Sequence, residues 1–182
     1  MRTAILIHGS QGSAKGHWFP WLKERLEDRG YQVFLPQFPG GEQQRLHPWM
    51  RTFAPLKEHL GGAVLVGHSL GVPFLLRVLE RFFAHPRAAF FVGGFAGGVE
   101  KSTFSLQDFV QEPFDWKTIR QRCQTFVVIH SDNDPYVPLE KAEEMARNLG
   151  VGVDLVKGGG HFLLPKYRTF DFLLEKIDDV VV

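Results

Sequence analysis

The stretch AVLVGHSLGVP, residues 63–73, decides the fold. Its first four residues, Ala63 to Val66, make a short apolar run of the kind found in strands buried on both faces. Gly67-His68-Ser69-Leu70-Gly71 then matches G-x-S-x-G, and Val72, Leu75, Leu76, Leu79 and Phe83 recur behind it at helical spacing. A serine at the tip of a sharp strand-to-helix turn takes a strained backbone conformation, and side chains two residues before and after it would collide. Glycines at positions 67 and 71 remove both obstructions. The helix that follows aims its N-terminus at the turn, where it favours developing negative charge. Pro73 suits that helix, because amides of the first turn have no intrahelical partner. A tight turn whose serine only caps the helix is the simpler alternative. The partners found further along the chain argue against it.

Similar apolar runs lie on both sides of this stretch: Thr3–Ile7, Gln32–Leu35, Ala88–Val92, Thr125–Ile129 and Val153–Val156. Amphipathic patterns separate them. Trp18, Trp21, Leu22 and Leu26 share a helical face, as do Leu139, Ala142, Met145, Ala146 and Leu149, and finally Phe170, Leu173, Leu174 and Ile177. Pro48 and Pro55 weaken the case for a helix over residues 47–60. The alternation predicts an α/β fold: a three-layer α/β/α sandwich on a mainly parallel sheet of about six strands. No linker-like tract interrupts the 182 residues, so one domain over 1–182 is expected.

Composition narrows the function. Hydrophobic residues make up 44% and charged residues 23%, which excludes a disordered chain. With 21 basic against 20 acidic side chains there is no basic surplus to meet phosphate backbones, so no nucleic-acid partner is expected. The single cysteine, Cys123, excludes an internal disulfide. No apolar run approaches the roughly 18 residues of a membrane span, and the run before His8 is shorter than the about 7–15 residues of a signal-peptide core. The expectation is a cytoplasmic protein without membrane association.

In a parallel sheet of this kind the chemistry gathers at the carboxyl ends of the strands, and that is where the polar motifs fall. A serine hydroxyl needs a positioned base. His161 lies in a glycine-rich turn, Lys157-Gly-Gly-Gly160-His161-Phe162, between the last strand and the last helix, and is the preferred base. His130, at the end of a strand, is expected to pack beside the acid loop. That loop, SDNDPYVP at residues 131–138, holds two candidate acids. Asp134 begins D-x-x-V-P and is preferred, while Asp132 is expected to brace the loop through Asx-type hydrogen bonds. Ser69, Asp134 and His161 also follow the chain order serine, acid, histidine. The oxyanion donors are expected to be the Leu70 amide and an amide of the loop after the first strand, from Ser10 or Gln11. Trp18, His68 and Phe95 are the candidate pocket residues. The segment from Gly93 to Gln124 carries Phe104, Phe109, Phe114 and Trp116, which either line an aromatic pocket or complete the core.

With these residues in place the chain resembles the α/β-hydrolases, and more closely the small serine hydrolases grouped with retinoblastoma-binding protein nine. The matching pieces are His17-Trp-Phe-Pro-Trp-Leu22, Gly67-His68-Ser69, the acid loop at 131–138 and Gly159-Gly160-His161-Phe162, together spanning nearly the whole chain. The resemblance implies a Ser69–Asp134–His161 triad and a fold without a large lid domain. It does not carry retinoblastoma-type binding. That binding uses L-x-C-x-E, and Cys123 here has neither a leucine two residues before it nor a glutamate two after it.

The expected activity is cleavage of a small acyl substrate, an ester or else a thioester or amide, through an acyl-enzyme, with no metal or cofactor. The eight histidines show neither H-x-H nor H-x-x-x-H spacing. The glycine loop at 9–16 is neither G-x-G-x-x-G nor a phosphate-binding G-x-x-x-x-G-K-[ST]. The rival from another class is a catalytically silent protein-interaction module on the same fold.

Overall fold

The computed structural model describes residues 2–98 and 104–181. Among the described residues six strands form one sheet: β1 (Arg2–Ile7), β2 (Tyr31–Phe34), β3 (Val64–His68), β4 (Ala88–Val92), β5 (Thr125–Ser131) and β6 (Val153–Val156). Their order is β2-β1-β3-β4-β5-β6, and all five neighbouring pairs run parallel. Seven α-helices accompany them: α1 (Phe19–Glu27), α2 (Leu46–Phe53), α3 (Gly71–Arg81), α4 (Phe104–Val110), α5 (Trp116–Arg122), α6 (Leu139–Leu149) and α7 (Asp171–Val181). No helix among the described residues is long and apolar enough to cross a membrane.

The two-residue period of the strands sorts their apolar side chains into two cores. Ala4, Leu6, Val64, Val66, Ala88, Phe90 and Val92 meet α1 and α7 on one face. Ile5, Ile7, Leu65, Ala89 and Phe91 meet α2, α3, α5 and α6 on the other. The predicted three layers are therefore present, and β3 and β4 are buried at every position because both their faces are covered. Helix α3 is apolar almost all round, as a helix enclosed on several sides must be. Its charged residues are Arg77, Glu80 and Arg81, and Arg77 is the one among its enclosed turns. The guanidinium pairs with Glu80 at 2.8 Å, stacks 3.7 Å from the Phe114 ring centroid and donates to the Phe109 carbonyl at 3.0 Å. Those contacts pin the segment between β4 and β5 onto α3.

Pro48 and Pro55 do not abolish the helix around residue 50, which runs from Leu46 to Phe53. Pro48 is the third residue of α2, inside the first turn where a missing amide costs nothing. Pro55 lies at the start of a 3-10 helix, Ala54–His59, that continues directly from α2.

Helix α3 approaches β1 so closely that a Cβ on Gly71 would lie 2.5 Å from the Ile7 carbonyl oxygen. Across the turn, a Cβ on Gly67 would lie 2.8 Å from the Gly71 oxygen. In both cases the obstacle is backbone, which cannot rotate away. Gly71→Ala is expected to lower the unfolding free energy by about 1–3 kcal/mol. Gly152→Ala, where an added Cβ meets nothing within 4 Å, is expected to stay within about 0.5 kcal/mol of the parent. Urea midpoints of the three proteins measure the difference.

Candidate active site

Strand β3 delivers Ser69 to the carboxyl edge of the sheet. Its amide donates to the Val92 carbonyl at 2.9 Å, extending the β3–β4 pairing by one residue. Its φ is +53°, the left-handed region that a serine rarely occupies. Helix α3 then starts at Gly71 with Leu70 as the N-cap and no side chain capping it, and the Val72 amide of its first turn donates to the Ser69 carbonyl at 3.0 Å.

Asp134 and His161 meet across the loops after β5 and β6. His161 Nδ1 donates to Asp134 Oδ2 at 2.6 Å, with the carboxylate fully buried and the imidazole 8% exposed. The other oxygen of Asp134, Oδ1, accepts from the Tyr136 amide at 2.9 Å and the Val137 amide at 3.0 Å. Burial works to raise the Asp134 pKa, but the His161 hydrogen bond and charge, with the two amides, hold it below the usual carboxylate value. His130 packs behind the acid as expected. Its Nε2 donates to the Val137 carbonyl at 3.0 Å and stands 3.9 Å from Asp134 Oδ2. Burial lowers its pKa.

The loop carrying His161 is tied down from several sides. Asp132 Oδ1 accepts from the Gly158 amide at 2.7 Å, and Asn133 Oδ1 from the Gly160 amide at 2.7 Å. Asp132 thus braces the histidine loop, not its own; the Asx-type bonds expected of it belong to Asp134. From beneath, Trp18 Nε1 donates to the Phe162 carbonyl at 3.1 Å, and His68 Nε2 donates to the His161 carbonyl at 2.9 Å. A carbonyl can only accept, so His68 carries its proton on Nε2. Burial, with His161 and His17 nearby, pushes the His68 pKa down from 6.5 to about 3.

Ser69 and His161 line one cavity of about 440 Å³. Its polar end is the loop from His8 to Gly12, with His17 and His68 beside it. Its other wall is apolar, built from Phe95, Leu106, Pro135, Tyr136, Val137 and Leu163. Of the expected pocket residues, Phe95 and His68 are there. Trp18 is not: it is fully buried, stacked on Phe19, and its role is to hold the Phe162 carbonyl. Nor does the pocket take its wall from Phe109, Phe114 or Trp116. Phe109 packs on Trp49 at 5.1 Å between centroids, and Phe114 and Trp116 pack on one another at 5.4 Å, so these rings complete the core. The side chain of Phe104 lies outside the described residues.

The two amides expected in the loop after β1 have different surroundings. The Gln11 amide donates at 2.7 Å to Oε1 of Gln44, which also accepts from the Ser10 hydroxyl at 3.0 Å. The Gln11 amide is therefore already committed inside the protein. His8 is fixed nearby in one tautomer. Its Nε2 accepts from the Phe38 amide at 3.0 Å, so Nδ1 bears the proton and donates to the Gly9 carbonyl at 2.9 Å. Among the described residues no group of three His, Cys, Asp or Glu side chains forms a metal-ligating set.

A serine hydrolase family model matches residues 4–167. The chain belongs to that serine hydrolase family. It is 35% identical over 165 residues to the YdeN protein of Bacillus subtilis (strain 168), covering 89% of this chain and 86% of that one. It is 23% identical over 163 residues to the serine hydrolase RBBP9 of Rattus norvegicus, covering 87% and 86% of the two chains. The crystal structure of the B. subtilis ydeN gene product superposes with a TM-score of 0.93 at 31% identity, covering 99% of this chain and 98% of that one. The protein is a hydrolase, and its architecture is that of the α/β-hydrolases.

The buried imidazole of this hydrolase's His68 makes its stability acid-sensitive. Between pH 6.5 and about 3 the unfolded chain protonates His68 and the folded protein does not. The stabilisation is therefore complete above the unfolded value and drains away as the pH falls. His68→Gln removes that dependence while retaining a donor. Between pH 7.5 and 4.5, the unfolding free energy from urea titrations is expected to fall by about 2 kcal/mol more in the parent than in the variant.

Proposed function

We propose that this hydrolase cleaves a small, uncharged carboxylic ester through a Ser69–His161–Asp134 triad and an acyl-enzyme. The observation that carries the reading is the 2.6 Å contact between His161 Nδ1 and the buried Asp134 carboxylate, in the wall of the cavity that holds Ser69 at φ +53°. With Nδ1 engaged, Nε2 is the ring nitrogen available to the serine. It takes the Ser69 Oγ proton as Oγ adds to the carbonyl carbon. The Leu70 and Ser10 amides, at the start of α3 and in the loop after β1, hold the oxyanion. As the tetrahedral adduct collapses, the ester C–O bond breaks and the leaving alkoxide takes the proton from His161. Water, deprotonated by the same nitrogen, then adds to the acyl-enzyme and releases the acid and free Ser69.

The size and lining of the cavity support a small neutral substrate. None of its lining residues is Lys, Arg, Asp or Glu, so a charged acyl chain would give up its hydration with no counter-charge to meet it. Thioesters and amides pass through the same kind of tetrahedral adduct and are the alternative substrates.

A fluorophosphonate probe is expected to label the parent and not Ser69→Ala. Folded parent that resists labelling assigns the chain to the silent interaction module instead. Asp134→Asn is expected to lower kcat for p-nitrophenyl butyrate by about 10⁴, since the histidine loses the carboxylate that orients it. The hemisuccinate ester is expected to react at least about 10-fold more slowly in kcat/KM than the butyrate.

A further inference from the structure

Taken as whole residues, five polar ones are buried among the described residues: His8, Gln44, His68, His130 and Ser131. Four of them sit in or directly after a strand. Gln44 stands alone in a connection, just past the 3-10 turn Gly41–Gln43 and 2% exposed. A carboxamide is taken out of water at a cost unless it is hydrogen-bonded. Gln44 meets that cost by taking two donors from the loop after β1: the Ser10 hydroxyl at 3.0 Å and the Gln11 amide at 2.7 Å, both on the same Oε1. Both donors belong to residues that line the cavity. Gln11, moreover, has a φ of +48°, one of only four non-glycine residues at positive φ in the described chain. Such a conformation persists only when its surroundings hold it.

The geometry points to Gln44 as the positioning residue of the oxyanion hole. The inference rests on the Ser69 reading above and adds to it a residue that touches no reacting atom. By accepting from Gln11, Gln44 withdraws that amide from the site. By accepting from the Ser10 hydroxyl, it fixes the peptide whose amide is left to face the adduct. One side chain thereby determines which of two neighbouring amides serves. A neutral carbonyl suits this position, since it accepts both donors without setting a full negative charge beside a developing oxyanion.

Gln44→Met keeps the length of the side chain and removes the acceptor. Displacing an oxyanion donor by a fraction of its hydrogen-bond length acts on the transition state and not on the bound ester. The expected result is a fall in kcat of about 10- to 100-fold with KM within about 3-fold. Affinity for an alkyl boronic acid, which mimics the tetrahedral adduct, should fall by the same factor as kcat. Ser10→Ala weakens the clamp from the other side and should lower kcat by about 3- to 10-fold. The double variant should fall no further than Gln44→Met alone, because both changes break one unit. The proposal is overturned if Gln44→Met retains full kcat, if its losses in kcat and boronate affinity diverge, or if the two substitutions add independently. Should Gln44→Met fail to fold, Ser10→Ala decides alone: an unchanged kcat overturns the proposal, and a fall in kcat at constant KM supports it. Ser69→Ala, assayed alongside, separates the two readings. Turnover near the parent's there refutes the nucleophile, whereas full activity of Gln44→Met beside a severely impaired Ser69→Ala refutes only the clamp.

Discussion

A hydrogen bond 2.9 Å long joins the imidazole of His68 to the backbone carbonyl of His161. It connects the residue before Ser69 to the residue proposed as its base, 93 positions away in the chain. Neither partner is free to drift. His68 is the last residue of β3, in register with Val92 of β4, and His161 is bound on its far side by Asp134. His68 is buried, so breaking the bond would leave a buried donor unmatched. Burial also keeps His68 neutral, which prevents a second positive charge from forming beneath His161 when that ring accepts a proton. The same contact thus sets a distance and protects an electrostatic balance.

Backbone strain is concentrated where that distance is set. The four non-glycine residues at positive φ among those described are Gln11, His17, Ser69 and Phe162. The first three line the cavity, and Phe162 directly follows His161. Each is held by an identifiable bond: Gln11 by Gln44, Ser69 by the Val92 carbonyl, His17 by the Leu164 amide it accepts at 3.2 Å, and Phe162 through its own carbonyl by Trp18. Conformations of this kind cost of order 1–3 kcal/mol apiece. They are tolerated because the sheet beneath is buried on both faces and cannot relax to relieve them.

The sheet and the turn are legible in the sequence for local reasons. Continuous apolar runs, helical spacing and G-x-S-x-G are all encoded within a few residues, and each predicted strand lies within two residues of its observed bounds. Asp134 and His161 are legible as candidates because each stands in a short motif at a strand end. The misplacements share a cause. Trp18 is amphipathic, and nothing local says whether its indole nitrogen faces a pocket or a buried carbonyl. Asp132 and Asn133 look like turn formers, but their acceptors are used by amides 26 and 27 residues downstream. Gln44 gives no signal at all, because its importance comes from contacts 33 and 34 residues upstream. Proline in the middle of a helical pattern misleads, since its effect depends on which turn it enters.

The cavity has no fixed ionic side chain of Lys, Arg, Asp or Glu in its lining, yet the proposed acyl transfer would pass through an anion. Any stabilisation must therefore come from backbone dipoles and imidazoles. Dipoles are weak when free to turn and strong when held, because held dipoles need no reorganisation as charge appears. This explains why so much of the hydrogen-bonding around the cavity is spent on loops and not on the cavity itself. Asp132, Asn133, Ser131, Trp18 and His68 all bind backbone atoms of the segment from Gly158 to Phe162, and Gln44 does the same for the loop after β1. On the proposed function, a site of this design would gain selectivity by refusing charged acyl groups and power by immobilising peptide units. The selectivity would lie in the lining, while most of the residues that immobilise the loops, Asp132, Asn133, Ser131, Trp18 and Gln44, are outside it.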